Sequence, residues 1–215
     1  MMKRLLLIML TALLNYTGSF LQAQDYLPQT FSITVGGGLT LPHVEGNQND
    51  FFSKNGDLAG YDLMLEGRYY FIPNFALGIQ YDYLRIADLP DKMHLHYARP
   101  TITFRHLWSN GNQGAFLSFG IGYMNYQERT YQRGERNGHL FQRGYCGLSF
   151  GMGYEFRITK KISGVFRADM LTADWFANPD ARLSNTDGYD DGIDHSWFKN
   201  NITFLNIGFA VQFGR

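Results

Sequence analysis

One cysteine, Cys146, is all the chain has, so no intramolecular disulfide can staple it. As a lone thiol it reads as a small, inert hydrophobe. Net charge is lacking too: 19 Lys and Arg balance 19 Asp and Glu, with no strong cluster of bases along the chain. Nucleic acid is thereby set aside as a partner, because phosphate binding needs a concentrated positive surface that releases counterions. Beyond residue 25 there is no apolar run approaching the roughly 20 residues that a membrane helix requires. If the mature chain spans a bilayer, it must do so with strands closed into a barrel, where every backbone group finds a partner. A length of 215 residues leaves room for one such domain.

The first residues are unlike the rest. Lys3 and Arg4 precede an apolar stretch from Leu5 to Leu14, and Gln22-Ala23-Gln24 leads into Asp25. This reads as a signal peptide over 1–24, with the mature domain at 25–215. At about ten residues the apolar stretch is too short for a helical anchor.

From Phe31 onward the dominant pattern is alternation with a period of two, which on a strand sorts side chains onto opposite faces. In the last segment Leu205, Ile207, Phe209, Val211 and Phe213 share one face, against Asn206, Gly208, Ala210 and Gln212. The pattern recurs from Phe31 to Leu41, Asp62 to Phe71, Phe75 to Tyr83, Leu95 to Phe104, Leu117 to Tyr123, Leu148 to Phe156 and Ile162 to Met170. In the fourth segment Leu95 and Tyr97 share a parity that Ile102 and Phe104 reverse, which predicts a bulge at Arg99-Pro100, since proline cannot donate to a ladder. Tight turns are expected at Ile72-Pro73-Asn74, Ser109 to Gln113 and Thr159-Lys160-Lys161, alternating with long polar loops at 42–57, 86–93, 127–143 and 174–200. Short turns at one end and long loops at the other predict an all-β, antiparallel, up-and-down transmembrane barrel of eight strands. A hairpin hidden in 174–200 would make ten.

Alternation alone does not say which face meets solvent, because a soluble lipocalin-like barrel alternates as well. Lysine placement separates the two. Lys3, Lys54, Lys92, Lys160, Lys161 and Lys199 all fall in the leader, loops or turns, whereas a water-facing strand surface would use lysine freely. The apolar face carries no charge on any segment, although 18% of the chain is charged. Such exclusion is what a lipid face requires, where Arg or Lys near the midplane costs about 2–4 kcal/mol. Aromatics gather toward strand ends, with Tyr69, Phe71, Phe75, Trp108, Phe156 and Phe213 near short turns and Tyr83, Tyr97, Tyr123 and Trp175 near long loops, as interfacial girdles do.

These features resemble the small outer-membrane barrels of the OmpA and OmpX type. The resemblance covers Phe31 to Phe213 and rests on the alternation, on Gly120-Ile121-Gly122-Tyr123 and Gly151-Met152-Gly153-Tyr154, and on an aromatic-rich last strand. It implies residence in a bacterial outer membrane, contact with outer-membrane lipid, and a passing encounter with the barrel-assembly machinery during biogenesis.

By parity Asp62, Glu66, Asp82, Glu155 and Asp169 point inward with Arg68, Arg105, Arg157 and Arg167. An eight-stranded barrel has room inside only for side chains, and enclosed charges must be paired, so a structural ion-pair plug is expected rather than a narrow pore. Glycines on the fifth and sixth strands would make room for the arginines.

Asp194-His195-Ser196 supplies residue types for a lipid A deacylase or acyltransferase, but adjacent side chains on an extended chain point apart, so no catalytic residue is assigned. Asp187, Asp190, Asp191 and Asp194 have the oxygen density of a calcium loop without EF-hand spacing, and a solvated loop accounts for them. His94 and His96 share a strand face but have no third ligand, so neither metal nor cofactor is expected. The expected function is that of a non-enzymatic surface barrel acting through loops 42–57, 127–143 and 174–200 on an envelope or surface partner.

Overall fold

The computed structural model describes residues 27, 30–44, 50–109, 111–131, 138–159, 161–173 and 202–214. The segment 1–24, expected to be a signal peptide, and the expected loop 174–200 lie outside these residues, as does Trp175. Eight strands form one closed antiparallel barrel: β1 (Phe31–Val44), β2 (Gly60–Ile72), β3 (Phe75–Asp88), β4 (Asp91–Leu107), β5 (Gln113–Thr130), β6 (His139–Arg157), β7 (Ile162–Ala173) and β8 (Ile202–Gly214). Each strand pairs with its neighbours in sequence, and β1 pairs with β8 from Ser32↔Gly214 to Val44↔Ile202, so no edge is left open. β7 pairs directly with β8, so the described strands close as a barrel of eight, and the hairpin considered for 174–200 lies outside the described residues.

The apolar parity of each segment faces outward. Ile33, Leu65, Ile79, Leu117, Met152, Phe166 and Ile207 are exposed, while the alternate positions Thr34, Glu66, Gln80, Ser118, Glu155, Arg167 and Asn206 are buried. A water-soluble barrel would have the reverse arrangement, because so continuous an apolar surface is not tolerated in water. Below, near the short turns, Tyr69, Phe71, Phe75 and Phe104 run in successive ring contacts at 5.1, 6.2 and 5.4 Å. Trp108 and Tyr154 add another contact at 5.5 Å, so the lower girdle is continuous over several strands.

Four expectations are corrected. There is no bulge at Arg99-Pro100: β3 and β4 pair in unbroken register through Ile79↔Pro100 and Gln80↔Arg99. Pro100 faces outward and exposed, while Leu95, Tyr97, Arg99, Thr101 and Thr103 all face inward on one parity. Tyr97 is therefore a lumen residue and not part of a girdle. The segment 86–93 is no long loop, since β3 and β4 pair as far as Asp88↔Asp91 around a cis Leu89-Pro90 turn. Much of 127–143 is also strand, with β5 and β6 paired out to Thr130↔His139. β4, β5 and β6 thus run beyond the roughly ten residues that a tilted strand needs to cross the hydrocarbon.

Between β1 and β2 lies a short helix, α1 (Asp50–Asn55). Gly56 closes it, with φ of 72° and its amide donating to the Phe52 carbonyl at 2.8 Å, a left-handed cap that glycine adopts without Cβ strain.

A two-layered lumen as the candidate functional site

The lower half of the lumen holds an ion-pair network. Arg68 on β2 donates from Nε to Glu66 Oε1 at 2.8 Å and from Nη1 to Glu155 Oε1 on β6 at 2.9 Å. Arg105 on β4 reaches the other Glu155 oxygen at 3.4 Å and clamps the Pro73 carbonyl with Nε and Nη2 at 3.0 and 2.7 Å. Arg167 Nε on β7 pairs with Asp169, and its Nη1 lies 4.0 Å from Glu66. Arg99 pairs with Asp82, which also accepts from Gln80 at 3.0 Å. Aromatic faces seat three of the guanidiniums: Arg68 over Phe116 at 4.4 Å, Arg99 over Tyr97 at 4.3 Å and Arg105 over Tyr70 at 4.1 Å.

The predicted inward acids Asp62, Glu66, Asp82, Glu155 and Asp169 are all buried, as are Arg68, Arg105 and Arg167. Arg157 is the exception. It stands half-buried at the short-turn rim, with Nε donating to the Thr159 carbonyl at 2.9 Å. The network instead includes Arg99, which the supposed bulge had hidden. Gly120 makes room for it: a Cβ there would lie 2.7 Å from Arg99 Cδ. Asp62 has no ion-pair partner among the described residues, and its Oδ1 accepts no hydrogen bond there.

The upper half is apolar, which the sequence did not announce. Leu84, Ile86, Met93, Leu95, Met124, Leu171 and Phe204 form a buried cluster inside the barrel, and Phe51 and Phe52 of α1 insert into it from the mouth. Tyr97 and Tyr126 join it with their hydroxyls satisfied, donating to the Gly147 carbonyl at 2.8 Å and to Glu128 Oε2 at 2.7 Å. α1 is latched by Lys54, whose Nζ lies 2.6 Å from Asp91 Oδ2 and donates to the Tyr131 carbonyl at 2.7 Å. Asn55 Nδ2 and the Tyr131 amide also donate to Asp91, at 3.2 and 2.8 Å.

Asp91 sits at the tip of the β3–β4 hairpin, above the apolar band. Burial pushes its carboxyl up, but hydrogen bonds from Lys54, the Tyr131 amide and Asn55, together with the Lys54 charge, hold it below the ordinary value of 3.8.

His94 and His96 point outward, each against its own tyrosine. His94 Nδ1 lies 2.6 Å from Tyr83 Oη, and His96 Nδ1 lies 2.7 Å from Tyr81 Oη. Those nitrogens are engaged, and no group of three potential ligands occurs among the described residues. Cys146 is half-buried on the outward parity, opposite Tyr123. Asp187, Asp190, Asp191, Asp194, His195 and Ser196 lie outside the described residues.

No protein-family model matches the chain, and no curated protein matches it. Solved structures do. Neisserial surface protein A superposes with a TM-score of 0.59 at 9% identity, over 86% of this chain and 97% of that one. The outer membrane protein OprG from Pseudomonas aeruginosa gives 0.49 at 11% identity, over 89% and 99%. Ail, the attachment invasion locus protein of Yersinia pestis, in complex with the heparin analogue sucrose octasulfate, gives 0.48 at 13% identity, over 87% and 100%. At 9% identity the likeness to Neisserial surface protein A is one of fold, and with the eight-stranded closed antiparallel topology the fold is that of the small OmpA/OmpX-like outer-membrane barrels.

Proposed function

We propose that the chain is exported and inserts into a bacterial outer membrane, where it serves as a closed, non-enzymatic barrel acting through its outer loops. The filled lumen carries this reading. Arg68, Glu66, Glu155 and Arg105 occupy the lower half, and the apolar cluster capped by Phe51 occupies the upper, so buried side chains fill both halves of the lumen. A transport role has little to work with. What remains is the outer end, where strands β4, β5 and β6 project past the apolar band as a stiff base for the connection between Thr130 and His139, and where the segments 42–57 and 174–200 join the other strands. Through these the barrel would meet an envelope or surface partner, after folding with the help of the barrel-assembly machinery.

Planar-bilayer recording tests the reading. The purified barrel, shown to be folded by a gel band that shifts on heating, should give no stable open conductance. A persistent, voltage-independent channel would contradict it.

A further inference from the structure

By strand parity, the outward-facing residues whose side chains are described carry charge at three positions, Arg85 on β3, Lys92 on β4 and Arg129 on β5, while Asp88, on the inward parity of β3, is exposed at the hairpin tip. All three are basic, and they stand on adjacent strands at the long-loop end. The pairing places Lys92 directly opposite Arg129, and Arg85 opposite His94. From strand spacing and rise, their Cα atoms lie about 5 to 12 Å apart, within reach of one shared group for side chains of this length. No carboxylate among the described residues forms an ion pair with any of them.

Two physical points make the cluster more than a solvated edge. Like charges directly opposite on paired strands are destabilising unless something neutralises them. Their height is also specific. Arg85 stands ten residues along β3 from Phe75, and His94 ten along β4 from Phe104, which is about the length of strand that crosses a hydrocarbon layer. The cluster therefore begins where hydrocarbon ends, above Tyr81 and Tyr83. The opposite wall at this height offers Thr172 and Thr203, hydrogen-bonded to each other at 3.3 Å, and no described outward charge.

Resting on the reading of the chain as an outer-membrane barrel, we propose that Arg85, Lys92 and Arg129 form a one-sided binding ledge for the phosphate groups of an outer-leaflet glycolipid. Arginine offers paired N–H donors matched to phosphate oxygens, and lysine adds a compact charge between the two arginines. A glycolipid supplies acyl chains for the apolar band below and phosphate at the height of the ledge. A free anion would use only the second of these.

The test compares the full mature barrel with an Arg85→Gln/Lys92→Gln/Arg129→Gln variant. Both are placed in nanodiscs of phosphatidylcholine containing a minor fraction of diphosphoryl lipid A, then released for native mass spectrometry. The wild type should retain lipid A, and the variant's retention should fall by about tenfold or more, as expected for losing charge-assisted contacts. Dephosphorylated lipid A should not be retained. Equal retention by both proteins would overturn the proposal. So would displacement of the lipid by excess inorganic phosphate, which would mark a free-anion site, or equal retention of phosphatidylglycerol, which would mark a generic cationic surface. A single Lys92→Gln variant gives the same readout if the triple variant does not fold. A heat-shifted band in phosphatidylcholine alone separates the two claims, since its absence would count against the membrane barrel itself.

Discussion

At the residue scale the lumen is held by charges that are buried because they are paired. Arg68 holds two carboxylates at once, and removing it leaves Glu155 to its longer contact with Arg105 at 3.4 Å and Glu66 to Arg167 at 4.0 Å. Breaking a buried pair by deleting one partner costs about 3–5 kcal/mol, more than the net worth of the pair, because the orphaned charge stays desolvated. Arg68→Ala should therefore lower the unfolding free energy by about that much, measured by urea titration of the barrel refolded into vesicles. Lys161→Ala, at an exposed turn position, should change it by no more than about 0.5 kcal/mol. Similar effects from both would mean that the network does not hold the lumen together.

At the element scale α1 is the piece most open to adjustment, since six residues form no stable helix in isolation. Its place depends on Phe51 in the apolar cluster and on the Lys54–Asp91 latch. A carboxyl whose pKa is depressed in the folded state stabilises that state above its ordinary value, and the contribution is lost as pH falls through the lowered one. Amide-exchange protection of residues 50–55 should thus stay flat from neutrality to about pH 4 and drop below it. Asp91→Asn should show the lower protection already at neutral pH. Protection that falls between pH 7 and 5 would assign the latch to another group.

The strands themselves were legible in sequence because lipid outside and polar groups inside produce period-two alternation. That legibility failed where its premise failed. In the upper lumen the interior is apolar, so Leu95 and Tyr97 point inward although they look like lipid-facing residues, and the change of parity imitated a bulge. Asp88, Asp91 and Lys92 read as loop because they are polar, yet a strand that has left the membrane is free to be polar and still pair. Nothing in the short stretch Asp50–Asn55 had the length to show a helical period, so the cap over the lumen was invisible until Phe51 and Phe52 were seen inside it.

For the molecule as a whole, the ion-pair plug, the apolar cap and the basic ledge all depend on one assignment, that the odd-numbered face of β3 looks into hydrocarbon. Ile79, at 73% exposure one of the most open of the large apolar side chains, lies midway along that face. A nitroxide at Ile79→Cys, in a Cys146→Ser background and a lipid bilayer, reports directly on what surrounds it. Frequent collisions with dissolved oxygen and few with a water-soluble nickel chelate are the expected result, with the reverse preference for a label at Arg129→Cys. A label at position 79 that the nickel chelate reaches freely would contradict the account.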